Sequence, residues 1–151
     1  MLIESKLPID RTQEGSIYLD GAMLGRCRGK ADNQKASEHG NASRDPRFPY
    51  GDHPSGKYQV IEVRSVAPSD AHSYGTFKLV LKCLDGAALD AANNGRTDLE
   101  IHGGDPQADG VSLRATYGCL RVPNAVITML ALSVRAALAR GETVEYVCTN
   151  V

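Results

Sequence analysis

Alternating apolar and polar positions run through most of this chain and predict a mainly β protein. The predicted strands share this alternation and cover residues 16–19, 22–24, 57–66, 76–84, 99–101 and 142–147. The first two flank Asp20-Gly21, a pair that favours a tight hairpin turn. Pro68-Ser69-Asp70 ends the third strand, and Asp85-Gly86 turns the chain after the fourth.

One stretch has the period of a helix instead. It begins at Pro123, a residue favoured in the first helical turn, and runs to about residue 140, where Gly141 is a suitable stop. Its apolar side is formed by Val126, Ile127, Leu130, Val134, Ala137 and Leu138. Residues 87–94 are expected to add one or two helical turns. The pattern therefore predicts a mainly β fold with one long helix that packs in the core.

Residues 29–54 interrupt the alternation. They are rich in charged residues, Asn, Ser, Gly and Pro, with Phe48 and Tyr50 as the only aromatic residues. Such a composition is typical of a long surface loop, which is either a binding or lid element or a plain insertion. His39 and His53 lack the spacing of metal ligands, so both are expected to be solvated. No metal site is predicted.

Length, composition and net charge limit the classes of protein to which this chain can belong. The chain has 151 residues, enough for one domain covering 1–151, with 42% hydrophobic and 23% charged residues. Its formal net charge of −1 provides no overall attraction to nucleic acid or to an anionic membrane. No apolar run is long enough to span a bilayer.

Cysteines and the N-terminus indicate the compartment. Cys27, Cys83, Cys119 and Cys148 are scattered without a CxxC pair, which argues against a zinc site or a dense disulfide framework. Residues 1–6 turn polar at once and lack the features of a secretory signal. The expectation is a cytoplasmic protein as encoded, with reduced cysteines, unless a signal was trimmed or another export route exists.

Cys119 and His102 are the candidate chemical groups. The attacking species in thiol chemistry is the thiolate, and an imidazole can take the thiol proton and pass it to a leaving group. Gly118 permits close backbone approach, so that amides near Cys119 would face a developing oxyanion. The alternative is a buried structural cysteine in a strand and a histidine in a loop.

The motif pattern resembles the L,D-transpeptidase catalytic domain (YkuD-type) family. His102-Gly103-Gly104, a polar loop and residues 116–121 (Thr-Tyr-Gly-Cys-Leu-Arg) are similar to its His-Gly-Thr/Ser and Ser-His-Gly-Cys-Ile/Leu-Arg/Asn elements. Residues 51–58 are similar to its Thr-Pro-Thr-Gly-Thr-Tyr element, and the order of motifs agrees over residues 51–147. Tyr117 departs from the family histidine and Thr116 from its serine, and an export signal is missing.

The resemblance implies an L,D-transpeptidase-like β-sandwich or barrel and a cysteine acyltransferase acting on peptidoglycan stem peptides without a cofactor. It implies Cys119 as nucleophile, His102 as base and Gly103 as backbone support of the histidine. Oxyanion donors would be the amides of Tyr117, Gly118 and Cys119. Arg121 would bind a substrate carboxylate or be a structural arginine, with Thr116 and Gly104 as further substrate-binding residues.

Several functions stay open at this point. The enzyme could transfer the acyl group to an amine or to water, either as a secreted effector against a rival's wall or in recycling of muropeptides. An effector would need an export machinery and an immunity protein, neither of which the sequence identifies. The alternatives are a cytoplasmic thiol peptidase or acyltransferase on a non-wall peptide and a catalytically silent binding module.

Overall fold

Strands make up most of the regular structure, which a computed structural model describes for all residues from Met1 to Val151. The eight strands are β1 (Leu2–Leu7), β2 (Gly15–Leu19), β3 (Ala22–Cys27), β4 (Gly56–Ser65), β5 (Phe77–Asp85), β6 (Glu100–His102), β7 (Leu120–Arg121) and β8 (Glu145–Asn150). The helices are α1 (Asn33–Glu38), α2 (Ala71–Tyr74) after a 3-10 turn at Pro68–Asp70, α3 (Gly86–Asn93) and α4 (Asn124–Ala139). None of these helices has the length and apolarity needed to cross a membrane.

All eight strands form one sheet in the order β3-β2-β1-β8-β4-β5-β6-β7. The two ends of this order meet, because the Arg28 N–H donates to the Arg121 carbonyl and the Arg121 N–H to the Arg28 carbonyl, each at 2.9 Å. The sheet is therefore a nearly closed barrel. This confirms the predicted mainly β fold with one long helix and selects the barrel over the sandwich.

The N-terminal strand β1 is a strand that the apolar pattern does not predict. Ile3, Ser5 and Leu7 are fully buried along one face, but the serine interrupts the apolar alternation. The Ser5 hydroxyl is satisfied by the Tyr146 hydroxyl at 2.6 Å, so a polar residue occupies a core position at little cost. β1 pairs in parallel with β8, which begins three residues later than predicted.

The predicted hairpin and helix are present. Asp20 (φ 47°) and Gly21 (φ 85°) both have the left-handed backbone of a type I′ turn between β2 and β3. In α4, Pro123 is the capping residue before the first helical turn. The buried residues of α4 are Val126, Ile127, Leu130, Ala131, Val134 and Ala137. They join the hydrophobic core, and α4 packs against β4, β5 and β6.

Residues 29–54 are not the solvated loop that their polarity predicts. They contain α1, whose first turn is capped by the Asp32 side chain, and Ala31 and Ala36 are fully buried. The prediction for His53 is wrong, since this side chain is completely buried, whereas His39 is exposed as expected. Hydrogen bonds to protein partners replace water for the buried polar groups of this segment, which is why its composition misled the prediction.

Strands β5, β6 and β7 have two chemically different faces. Their register aligns Leu79 with Ile101 and Ile101 with Leu120, all buried in the core. One residue further along, Lys78 aligns with His102 and His102 with Arg121. Because side chains alternate between faces, these polar residues lie on the face opposite the core. This polar face lines a cleft.

Candidate active site

A cleft of about 710 Å³ opens over the polar face of β5, β6 and β7. Cys119 and His102 both line it, and Cys119 lies directly before β7 while His102 ends β6. A polar loop separates these two residues in the sequence. The parallel pairing of β6 and β7 brings them to one surface. No group of His, Cys, Asp and Glu side chains has the arrangement of a metal site.

The His102 imidazole is held in one orientation and in its neutral form. Its Nδ1 donates to the Gly103 carbonyl oxygen at 2.7 Å, which leaves the Nε2 lone pair without a partner in the chain. The imidazole and the Tyr74 ring form a T-shaped pair, with centroids 5.1 Å apart. Burial lowers the pKa of His102 to about 4, and the positive charges of Arg121 and Lys78 act in the same direction. The imidazole is therefore uncharged at neutral pH.

Arg121 supports this arrangement from within the protein. Its Nη1 donates to the Gly103 carbonyl at 2.9 Å and to the Ser73 carbonyl at 3.1 Å. The Gly103 oxygen thus accepts from both the histidine and the arginine. Arg121 is almost fully buried, and burial lowers its pKa to about 10. These contacts favour the structural-arginine alternative, although the side chain also borders the cleft.

The Cys119 thiol is protonated in this environment. It is half-buried, and its Sγ donates to the Asp98 carbonyl oxygen at 3.4 Å rather than to His102. Burial raises the pKa of the thiol to about 12, and the carboxylate of Glu100 adds to this effect. Glu100 is itself buried, with Lys78 Nζ at 3.8 Å from its carboxylate. The resting pair is a neutral thiol and a neutral imidazole, so nucleophilic attack would need a base.

The turn before the thiol leaves two backbone amides free. Thr116 Oγ1 accepts from the Gly118 N–H at 3.0 Å and donates to the Cys119 carbonyl at 2.8 Å. The amides of Tyr117 and Cys119 donate no hydrogen bond within the chain. The structure therefore differs from the expectation for Gly118, whose N–H is already bonded. The Thr116 hydroxyl closes the turn, and Thr116 also borders the cleft, so its substrate-binding role stays a prediction.

Gly104 is also engaged within the protein. Its N–H donates to the Asn124 side-chain oxygen at 2.8 Å, and the residue is buried. This bond ties the segment after His102 to the first turn of α4. It differs from the substrate-binding role expected of Gly104.

His53 and Arg96 lie directly behind the Cys119 turn and were not among the sequence candidates. His53 Nδ1 is bonded to the Gly118 carbonyl at 2.9 Å. The Arg96 guanidinium donates to the carbonyls of Pro46 (2.6 Å), Asp52 (2.9 Å) and Gly51 (3.1 Å). Arg96 has no motif signal, whereas His53 lies within residues 51–58, the segment that resembles the Thr-Pro-Thr-Gly-Thr-Tyr element of the family.

Residues 29–54 also contribute to the rim of the cleft. Tyr50 lines it, and its ring lies 6.1 Å from that of Tyr117, which is 59% exposed. On its other side Tyr50 stacks on His39 with ring centroids 3.7 Å apart. The exposed Tyr117 ring thus lies at the rim of the cleft, two residues before Cys119, and contacts a segment that the sequence pattern assigned to the surface.

Gly118→Ala is expected to lower the free energy of unfolding by about 3 kcal/mol and to abolish acylation of Cys119. Gly118 has φ 119°, and an added Cβ would collide with the Arg96 guanidinium and the Gly51 carbonyl. Gly110→Ala is the control, because Gly110 has φ 75° but open space around its Cβ, and strain alone costs about 1 kcal/mol. Denaturant unfolding of both variants checks this; equal losses would contradict the steric account.

No family model matches the sequence, and no curated protein matches it. Solved structures do. Bd1075 of Bdellovibrio bacteriovorus is similar over 98% of this chain, with a TM-score of 0.54 and 15% identity. Ldtfm, an L,D-transpeptidase solved as its avibactam carbamoyl enzyme, is similar over 99% of this chain, with a TM-score of 0.51 and 16% identity.

The K307A mutant of the helical cell shape determining protein Pgp2 from Campylobacter jejuni is also similar, over 99% of this chain, with a TM-score of 0.51 and 19% identity. This chain spans about half the length of the three solved chains, 47%, 49% and 46% respectively. At these identities the similarity shows the fold, which is L,D-transpeptidase-like.

Proposed function

We propose that the protein is a cysteine acyltransferase that acts on peptidoglycan stem peptides through a thioester at Cys119, as an L,D-transpeptidase or L,D-carboxypeptidase. The observation that carries the proposal is that Cys119 and His102, whose Nε2 has no hydrogen-bond partner in the chain, line the same cleft of an L,D-transpeptidase-like fold.

The first step is attack on a peptide carbonyl. The Cys119 thiol turns from Asp98 toward His102, Nε2 takes the proton, and Sγ forms a bond to the carbonyl carbon. His102 suits this role because it is neutral at pH 7 and its Nδ1–H is fixed on Gly103. Proton transfer and attack occur together, since the high pKa of the thiol disfavours a free thiolate.

The tetrahedral intermediate places negative charge on the former carbonyl oxygen. The unpaired amides of Tyr117 and Cys119 are the donors that would bind it, and each such donor contributes about 3 kcal/mol in acyl-transfer enzymes. The C–N bond then breaks, and the imidazolium of His102 returns its proton to the leaving amine. An amine or a water molecule finally attacks the thioester and restores the thiol, with His102 again as base.

The charge of the cleft favours a substrate that carries carboxylates. Its lining includes five cationic residues, Arg64, Lys78, Arg96, Arg114 and Arg121, against two acidic ones, Asp98 and Glu100. Stem peptides end in a free carboxylate, which such a surface attracts. We propose the cell wall as the site of action. A cytoplasmic thiol acyltransferase on another acidic peptide is the second candidate, because the same charge pattern would serve it.

Intact-protein mass after exposure to a carbapenem tests the acyl-transfer chemistry. The strained lactam carbonyl should acylate Cys119, giving one adduct on the wild type and none on Cys119→Ala. Cys83→Ala is the matched control, since Cys83 is also half-buried but lies outside the cleft, and it should still form the adduct. Absence of any adduct on a folded wild type would contradict the proposal.

Incubation with a purified muropeptide tetrapeptide separates the two candidate substrates. Loss of the terminal D-amino acid, or formation of a cross-linked dimer, is expected with wild type and not with Cys119→Ala. Acylation by the carbapenem without any change in the muropeptide would favour the non-wall peptide.

A further inference from the structure

A buried chain of hydrogen bonds leads from the N-terminal strand to residues 116–119. These residues form the turn that carries the proposed nucleophile Cys119 and are called the nucleophile turn. Ser5 Oγ lies 2.6 Å from the Tyr146 hydroxyl, Tyr146 lies 2.9 Å from His53 Nε2, and His53 Nδ1 lies 2.9 Å from the Gly118 carbonyl oxygen. Ser5, Tyr146 and His53 are all completely buried. We infer that His53 is a positioning residue that aims the Cys119 N–H at the oxyanion, an inference that rests on the proposed function.

The donor and the acceptor of each of these three hydrogen bonds can be assigned. A carbonyl oxygen only accepts, so Nδ1 of His53 carries the hydrogen and donates it to Gly118. Nε2 therefore accepts from the Tyr146 hydroxyl, and the Tyr146 oxygen in turn accepts from Ser5. Burial lowers the pKa of His53 to about 3, so the ring stays neutral and keeps this tautomer across the physiological range.

Only His53 fixes the peptide unit between Gly118 and Cys119. Thr116 Oγ1 holds the peptide units on either side, through the Gly118 N–H and the Cys119 carbonyl. The unit between them consists of the Gly118 carbonyl and the Cys119 N–H, and its one hydrogen bond is the bond from His53. Glycine has few steric barriers, so without that bond this unit would be free to rotate.

The orientation of this unit decides where the Cys119 N–H points. The chain contains no cis peptide bond, and in a trans peptide the C=O and N–H point in opposite directions. When the Gly118 carbonyl faces the buried His53, the Cys119 N–H faces away from His53. Because Cys119 borders the cleft, we infer that this N–H is directed to the cleft side. A flipped unit would present a carbonyl to the oxyanion, which repels it.

Replacing His53 by asparagine or by glutamine distinguishes the hydrogen bond to Gly118 from the packing of the side chain. In His53→Asn the side-chain nitrogen is as many bonds from Cβ as Nδ1, so the donor to Gly118 is kept. In His53→Gln the amide matches Nε2 instead, so the Tyr146 contact is kept and the donor is lost. We expect the Asn variant to be acylated within about threefold of wild type and the Gln variant at least about 30-fold more slowly.

Alkylation by iodoacetamide is the internal reference. It attacks Sγ at a saturated carbon with iodide as leaving group, and no oxyanion forms, so its rate should stay within about threefold in both variants. A selective loss of carbapenem acylation in His53→Gln supports the inference. Equal losses of both rates, or unchanged acylation, would overturn it while leaving the proposed function standing. A wild type that is alkylated but never acylated would overturn the proposed function and this inference together.

A measurement on the unsubstituted protein tests the tautomer without any reaction. Nitrogen NMR of the imidazole should show His53 protonated at Nδ1, with no titration between pH 5 and 8. Protonation at Nε2, or a titration in that range, would contradict the assigned direction of the hydrogen bonds and overturn the inference even if both variants fail to fold.

Discussion

His102→Gln is expected to slow acylation of Cys119 at pH 7 by about 10³-fold, within the range for loss of a general base. The thiol has a pKa raised to about 12, so thiolate is scarce at neutral pH without a base. Glutamine fills similar space but cannot take the proton. The measurement is the rate of adduct formation with a carbapenem, followed by intact mass. His72→Gln is the matched control, because His72 is exposed and paired with Asp105 outside the cleft lining.

The pH dependence distinguishes a lost base from a distorted site. In the proposed mechanism His102 is a base in its neutral form, so the wild-type rate should rise through about pH 4, the depressed pKa of His102, and then level off. In His102→Gln only hydroxide removes the proton, so the rate should rise about tenfold per pH unit up to the thiol pKa. A variant rate that is flat with pH would contradict the assignment of His102 as base.

The fold was predictable where local pattern and tertiary packing agree. Alternating apolar residues identified β4 and β5, Asp20-Gly21 identified the hairpin, and the apolar side of α4 identified the helix. β1 was not predicted because its central inward-facing residue is Ser5. The burial of Ser5 depends on a hydrogen bond with Tyr146, which is distant in the sequence. A hydrogen bond between such distant residues leaves no mark in a hydrophobic pattern.

The site was predictable only at the level of residue types in motif order. Cys119 and His102 face one cleft, and the Gly103 carbonyl supports the histidine, but their chemical roles stay predictions. The state of each group was not predictable. The bond from the Gly118 N–H to Thr116 and the engagement of Arg121 by backbone carbonyls depend on the folded turn.

Residues 29–54 show most clearly why part of the structure could not be predicted from the sequence. A polar composition predicts exposure because burying unpaired polar groups is unfavourable. Here the polar groups are paired: Asp52 accepts from the Ala31 N–H at 2.8 Å and from Arg44 at 3.0 Å, and Arg96 binds three backbone carbonyls of the segment. The segment is therefore packed behind the nucleophile turn, and its stability and the geometry of the site should depend on the same arginine.

Arg96→Met is expected to lower the free energy of unfolding by about 3 kcal/mol, because it removes hydrogen bonds from a charged donor and leaves buried carbonyls unpaired. Arg96 is 7% exposed, and methionine keeps much of the chain length without the guanidinium. For a chain of this size the melting temperature should fall by about 9 °C. Arg64→Met is the control, since Arg64 also borders the cleft but is exposed and paired with Glu62 alone, and its melting temperature should not change.

The same variant should damage the site more than the loss of stability explains. Arg96 holds the carbonyls of Gly51 and Asp52, directly before His53, so its loss should loosen the imidazole that bonds to Gly118. At a temperature where the variant is still folded, acylation of Cys119 should fall at least about tenfold more than alkylation by iodoacetamide. The alkylation rate reports the rise in the thiol pKa that follows loss of the Arg96 charge. A variant that melts early but is acylated at the wild-type rate would mean that Arg96 stabilises the fold without setting the geometry of the nucleophile turn.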